Sequence, residues 1–256
     1  MHQNGLECIL EMCFPNGMNQ NMIMHILRFW VREYHVDGFH LLGEIVPIKA
    51  VCQDMFLSRA KIFCEHYSMD CYNADKVYPN LYLYNDEYLY PARKLLNRHS
   101  VAIDEFANQQ RKQNQSMGFV NYIANNNGFT LMDTFSYQNK HNEENGENNA
   151  DGNNWNFSSN YGIEGKSTRR GVNEQRKRQI LNAYTMLFMA QGVPLIWSGD
   201  EFGNSQNGNN NAYCQDNKTG WLNWKNAGKY KWITDFVKQM ADFRKAHPII
   251  RMETPM

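Results

Sequence analysis

Residues 119–124 read Phe-Val-Asn-Tyr-Ile-Ala, residues 125–133 follow as Asn-Asn-Asn-Gly-Phe-Thr-Leu-Met-Asp, and residues 140–147 as Lys-His-Asn-Glu-Glu-Asn-Gly-Glu. The apolar run Phe119–Ala124 reads as a strand, and three asparagines and a glycine stop it. Beyond it lies a long Asn- and Gly-rich loop at about 138–168, too polar for a core and longer than ordinary connections, which marks it as functional or disordered. The next apolar periodicity is helical. Ile180, Leu181, Tyr184, Leu187 and Phe188 share one face of a helix over Arg176–Gln191, and Val193-Pro194-Leu195-Ile196-Trp197 supplies another strand. Strand, crossover helix and strand together point to a parallel α/β fold.

The same alternation runs upstream. Leu6–Phe14, stopped by Pro15-Asn16-Gly17, is expected to be a strand buried on both faces. Ile23, Ile26, Leu27, Trp30, Val31 and Tyr34 then recur at helical spacing, and Val36–Leu42 gives a second strand. A helical stretch near Lys49–Leu57 leads to a third strand over Ala60–Glu65, with Leu81–Tyr84 as a weaker fourth. Trp232, Phe236, Met240 and Phe243 mark a last helix before His247-Pro248. There is no internal repeat, heptad pattern or flexible linker.

Composition narrows the function classes. The 256 residues are 42% hydrophobic and 20% charged, enough for one large core or two modest ones. A (β/α)8 barrel uses about 250 residues. Twenty-six basic and 26 acidic residues give a formal net charge of +0, which argues against nucleic acid or an anionic membrane as partner and suits a neutral ligand. Six cysteines (Cys8, Cys13, Cys52, Cys64, Cys71, Cys214) form no CxxC pair and mostly lie in apolar runs. Reduced core thiols and a cytoplasmic location are the expectation. No stretch has the pattern of a signal peptide or the length of a membrane span.

Several ordered motifs give the chain a resemblance. They are Gly128-Phe129-Thr130-Leu131, Lys140-His141-Asn142-Glu143, Asn145-Gly146-Glu147, Gly199-Asp200-Glu201, the run Gly208–Asn217, and Trp221-Leu222-Asn223-Trp224. With Gly5–Phe14, Tyr34–Phe39 and Lys61–Glu65 upstream, the chain resembles the isoamylase, pullulanase and glycogen-debranching branch of glycoside hydrolase family 13. The resemblance covers nearly all of it and implies one incomplete catalytic barrel domain over 1–256. It would be a partial (β/α)8 TIM barrel with about strands 3 to 8 present, the first two strands and the C-terminal β-domain absent, and a complementary domain or chain required. It also implies an ordered loop at 204–217 and an α-glucan (glycogen, pullulan or branched dextrin) as partner.

The resemblance also locates the chemistry. Retaining glycosidases need two carboxyl groups about 5–5.5 Å apart, one nucleophile and one acid. By resemblance the acid is Glu65, followed by His66-Tyr67 where Pro-Trp is common. The nucleophile position is Leu42, the preceding Arg position is His40, and Asp37 lies too early on its strand to substitute. The stabilising Asp has become Asn127, and the two sugar-contacting His positions are Asn126 and Asn16, the latter after Pro15. Lys140 and His141 border the substrate cleft, so Lys140, His141, Asn126, Asn16 and His40 are the expected glucan contacts. No metal and no organic cofactor is implied. Glu11, Glu65, His40 and His66 could instead assemble an acid–base or metal site at the strand ends, although hydrogen-bonded remnants are the simpler reading.

The expected function is therefore a degenerate debranching-type protein without hydrolytic activity, retained as an α-glucan-binding or a protein-partner scaffold. The alternatives are an active α-1,6-glucosidase using Glu65 and an unrecognised nucleophile, and a gene fragment that does not fold alone. The tyrosines Tyr72, Tyr78, Tyr82, Tyr84, Tyr88 and Tyr90 either line a glucan cleft or pack the barrel.

Overall fold

The computed structural model describes residues 1–66 and 77–252. Tyr67, Cys71, Tyr72 and Met256 lie outside the described residues. The elements alternate as expected for a partial (β/α)8 barrel. They are β1 (Ile9–Cys13), α1 (Gln20–Tyr34), β2 (Gly38–Leu42), α2 (Ile48–Gln53), β3 (Lys61–Cys64), β4 (Leu81–Tyr84), α3 (Asp86–Leu96), α4 (Ile103–Gln110), β5 (Gly118–Asn121), α5 (Leu131–Thr134), α6 (Arg170–Met189), β6 (Val193–Pro194), α7 (Asn226–Lys229) and α8 (Lys231–Ala246). The strands succeed one another in chain order. β1 through β5 pair in parallel, with Ile9 opposite Gly38, Gly38 opposite Lys61, Ile62 opposite Leu81 and Tyr82 opposite Gly118.

The chain forms two compact units. The first comprises Met1–Asn85 with Lys112–Val120, the second Asp86–Arg111 with Asn121–Met252. In the first, α1 starts at Asn19, whose side chain accepts the Asn21 N–H at 2.8 Å, and ends at His35 in the left-handed region. Its apolar stripe seats Ile23 and Leu27, both fully buried, in a core with Phe39, Val51, Leu57, Ile62 and Leu81. In the second, α6 and α8 enclose Ile180, Ala183, Tyr184, Leu187 and Ile233 with Tyr88 and Phe135.

Three expectations need correction. β1 is not buried on both faces: Leu10 and Met12 are half-buried while Ile9, Glu11 and Cys13 are exposed, because among the described residues β1 ends the sheet and has β2 as its one neighbour. β6 stops at Pro194 instead of reaching Trp197, since proline has no N–H for the ladder; only Leu195 N–H continues it, to the Asn121 carbonyl at 2.8 Å. The cysteines are less uniformly internal than expected, with Cys52 and Cys64 buried but Cys13 and Cys214 exposed, all four as free thiols. Two helices, α3 and α4, occupy a region to which the periodicity assigned no element, and α3 runs on through Pro91.

Close approach of strands fixes one residue of β2. A Cβ on Gly38 would lie 2.2 Å from the Lys61 carbonyl oxygen and 2.8 Å from Ile9 Cδ1, so β2 and β3 would have to part and the Ile9 side chain to shift. Gly38→Ala is expected to lower the unfolding free energy by about 1–3 kcal/mol in urea denaturation. An unchanged midpoint would mean that the strands can spread at no cost.

Candidate functional site

Parallel strands present their C-terminal ends together, and side chains there can converge. In the first unit Glu11 on β1 stands opposite His40 on β2. His40 Nδ1 is 2.9 Å from Glu11 Oε2, and its Nε2 is 3.9 Å from Oε1 of Glu65, just past β3. Tyr84 of β4 stacks on the imidazole with ring centroids 4.5 Å apart and planes 15° apart. Four consecutive strands thus bring an imidazole, a phenol and two carboxylates to one place.

The environment sets their chemistry. His40 is buried, while the side chains of Glu11 and Glu65 are 57% and 48% exposed and meet water. With Nδ1–H donated to Glu11, Nε2 is aimed at Glu65 and makes no hydrogen bond among the described residues. Burial, then the negative charges of Glu11 and Glu65, push the Tyr84 phenol up to about 12, so it stays protonated at neutral pH. The group can move or hold a proton. Among the described residues no set of three His, Cys, Asp or Glu side chains could hold a metal ion.

Leu42 closes β2 half-buried, with its carbonyl accepting the Phe14 N–H at 3.0 Å. It lines a cavity of about 850 Å³ with Glu44, Val46, Ile48, Glu65 and His66. Glu44 was not singled out from the sequence, which offers no signal for it beyond its place two residues after Leu42. Asp37 lies at the other end of β2, where its carboxylate accepts the Cys8 N–H at 2.6 Å and pairs with His2 at 2.9 Å. Those bonds, the Cys8 N–H foremost, hold its carboxyl below the usual range. Asn16 is exposed in the turn after β1.

The remaining expected contacts belong to the second unit. Asn126 and Asn127 are exposed just beyond β5, with the Asn127 N–H bonded to Asn125 Oδ1 at 3.1 Å. Lys140 turns its ammonium onto the carbonyls of Asp151 at 2.7 Å and Ala150 at 3.4 Å. His141 pairs with Glu164 at 3.0 Å. Both side chains therefore fasten the loop they sit on.

That loop is ordered by amides. Fully buried Asn142 donates to the Asp151 carbonyl at 3.0 Å and to Asn210 Oδ1 at 2.9 Å, and accepts the Asn210 N–H at 2.9 Å. Asn210 donates onward to the Asn153 carbonyl at 2.7 Å and to Asn156 Oδ1 at 2.9 Å. Residues 138–168 and 208–215 are thus stitched together by the hydrogen-bonded buried amides of Asn142 and Asn210. Of the tyrosines, Tyr78 and Tyr88 are core, Tyr82 stacks on Phe63 at 5.1 Å, and Tyr84 stands at the strand-end cluster.

No protein-family model matches the chain. It is 35% identical over 270 residues to the glycogen debranching enzyme of Erwinia tasmaniensis, a match covering 93% of this chain and 40% of that protein. It is 33% identical over 254 residues to the glycogen operon protein GlgX homolog of Mycobacterium bovis, covering 90% and 35%. The chain thus spans roughly 40% or less of these curated relatives. Among solved structures, pullulanase type I from Bacillus subtilis, complexed with maltose, superposes with a TM-score of 0.71 at 17% identity, covering 98% of this chain and 42% of that one. Pullulanase from Paenibacillus barengoltzii, in complex with maltohexaose and α-cyclodextrin, gives 0.66 at 19% identity, covering 92% and 37%. The likeness to these structures is one of fold.

Proposed function

From its resemblance, in sequence and in fold, to the isoamylase, pullulanase and glycogen-debranching branch of glycoside hydrolase family 13, we propose that this chain is a degenerate debranching-type protein. It binds α-glucan and does not hydrolyse it. The observation that carries the reading is the end of β2, where Leu42 lines the same cavity as Glu65. A leucine forms no glycosyl-enzyme bond, and without a nucleophile opposite the acid the double displacement has no first step. Asn127 and Asn126 support the same conclusion, since neutral amides replace the carboxylate and imidazole that the resemblance expects. Glucan as ligand is supported by the maltose and maltohexaose bound to the solved pullulanases.

The cell compartment we assign is the cytoplasm. It is supported by free thiols at five cysteines and by relatives named for glycogen metabolism. No helix among the described residues is long and apolar enough to cross a membrane. The edge of β1, unpaired among the described residues, supports a further β/α segment or chain as its neighbour in the working protein.

The test is reducing-sugar release from pullulan and glycogen by protein whose fold is verified by circular dichroism. The expected rate is about 10⁴-fold or more below that of a working debranching enzyme at equal concentration, and the same for Glu65→Gln. One observation favours the alternative of a surviving hydrolase. Glu44 lines the cavity beside Glu65 and could supply the second carboxylate. Release abolished by both Glu44→Gln and Glu65→Gln would establish that alternative and overturn the proposal.

A further inference from the structure

The loop of the second unit carries a feature that neither the strand-end chemistry nor the amide network accounts for. Trp155 is 68% exposed, although tryptophan is costly to leave in water, and its ring stacks on Phe157 at 6.3 Å and 25°. Phe157 itself has φ +45°, a left-handed conformation that a bulky side chain adopts only when its surroundings enforce it. Those surroundings are on every side. Tyr90 and His99 meet the Phe157 ring edge-on at 5.8 and 5.7 Å, the Lys94 ammonium lies 4.8 Å over it, and the Asn97 amide donates to the Phe157 carbonyl at 2.9 Å. The Trp155 N–H is fixed by Asn153 Oδ1 at 2.7 Å. The chain thus accepts backbone strain to hold an aromatic pair with one ring open to solvent.

Beside that pair lies a cavity of about 540 Å³, within the range of small-ligand sites. His99, Gln138, Asn139, Asn154, Trp155 and Phe157 are among its walls, and no carboxylate lines it. Its amides fall into two groups. Asn149 and Asn156 are spent on the loop, the first bonding Lys140 O and Asn142 N–H, the second Asn153 O and Asn210. The side-chain amides of exposed Gln138, Asn139 and Asn154 have no hydrogen-bond partner among the described residues. The one cation on the wall, Lys140, is already engaged by two carbonyls. A flat apolar face, three free donor–acceptor amides and no available formal charge are complementary to a neutral polyhydroxylated ring, whose C–H face stacks while its hydroxyls bond the amides.

We propose that this cavity is a glucan-binding site, with Trp155 as the stacking platform for a glucosyl ring and Gln138, Asn139 and Asn154 as its hydrogen-bonding partners. The inference rests on the reading that the protein binds α-glucan and places one point of contact. It assigns no bond making or breaking to these residues.

The experiment is calorimetric titration of the full chain with maltohexaose, with cellohexaose as a comparison probe. Wild type is expected to bind maltohexaose, Trp155→Ala to bind it about tenfold or more weakly, and Trp155→Phe to restore part of the difference. Asn154→Ala should weaken binding several-fold. Trp224→Ala, which removes another highly exposed tryptophan, should not change it. Trp155 is exposed, so its variants fold, which circular dichroism verifies. Maltohexaose binding by wild type that is unchanged in Trp155→Ala overturns this site and leaves glucan binding intact. No maltohexaose binding by wild type overturns glucan binding itself, and this site with it. Equal binding of cellohexaose would overturn the assignment to an α-linked glucan.

Discussion

Replacing Arg93 by methionine is expected to lower the unfolding free energy by about 3–5 kcal/mol, the largest single-residue effect in the second unit. Arg93 is 2% exposed, and no carboxylate among the described residues is hydrogen-bonded to its guanidinium. It donates instead to three carbonyls, Ile123 at 2.7 Å, Phe129 at 3.0 Å and Asn156 at 3.3 Å. Those carbonyls come from the end of the β5 segment, the turn before α5 and the loop that carries Trp155, so one side chain of α3 holds three stretches of chain. Methionine fills the volume but leaves three buried acceptors unpaired, each costing about 1–3 kcal/mol if no water reaches it. It also removes the positive charge that offsets buried Asp200. Burial lowers the Arg93 pKa to about 10, which still leaves it charged at neutral pH. Urea denaturation read by fluorescence measures the difference. Arg93→Lys should recover only part of it, since an ammonium cannot span three carbonyls as the fork does. A loss below about 1 kcal/mol would mean that the carbonyls are satisfied by water and that the arginine is not the clamp.

The same device recurs, and it shows where sequence reading stops. Arg176 donates to the carbonyls of Gly165 at 2.5 Å and Asn160 at 2.8 Å, and Arg244 to those of Phe188 and Ala190, both at 2.7 Å. All three arginines sit within otherwise amphipathic helices. Hydrophobic periodicity treats arginine as a solvent-facing residue, so no pattern marks these as internal. What periodicity does capture is the strand–helix alternation. Five of the six strands among the described residues lie in short segments rich in apolar residues, broken in places by a polar one such as Glu11 or His40, and the sixth is cut short by a proline whose missing donor the hydropathy pattern ignores. The strand-end cluster was half legible. Glu11, His40 and Glu65 could be nominated because parallel strands deliver their ends to one side, but pairing His40 with Glu11 and stacking Tyr84 upon it depend on register and rotamer. Trp155 was visible as a letter in a polar loop and carried no meaning until the strained Phe157 beneath it was known.

Lowering the pH from 7 to about 5 is expected to raise the thermal midpoint of this protein, the opposite of the usual acid response, and Asp133 is the reason. Its carboxylate is fully buried, accepting Ser205 Oγ–H at 2.5 Å and the N–H groups of Gln206 at 2.7 Å and Gly208 at 3.3 Å. Burial outweighs those bonds and raises its pKa from 3.8 to about 6. Burial first, and then the charge of Asp133, also raises Asp200 well above its ordinary value. A carboxyl with a raised folded-state pKa binds its proton more tightly in the native state than in the unfolded chain, so stability grows as the pH falls through 6 and levels off below 3.8. A shift of that size corresponds to about 3 kcal/mol at most between the two plateaus, before compensation elsewhere. Opposing it, Asp37, Asp54 and Asp151 are held below their ordinary values by hydrogen bonds, chiefly from the Cys8 N–H, Arg28 and Asn145. Their contribution is present above about pH 4 and is lost only below it. The midpoint should therefore peak near pH 5 and fall on further acidification. Calorimetric scans from pH 7 to 3 test this, with Asp133→Asn expected to flatten the rise between 7 and 5. A wild-type midpoint that declines steadily from pH 7 would show that water reaches Asp133. It would also show that the 205–208 turn, whose Gly208 carbonyl holds the His141 N–H at 2.7 Å, is looser than a dry carboxylate requires.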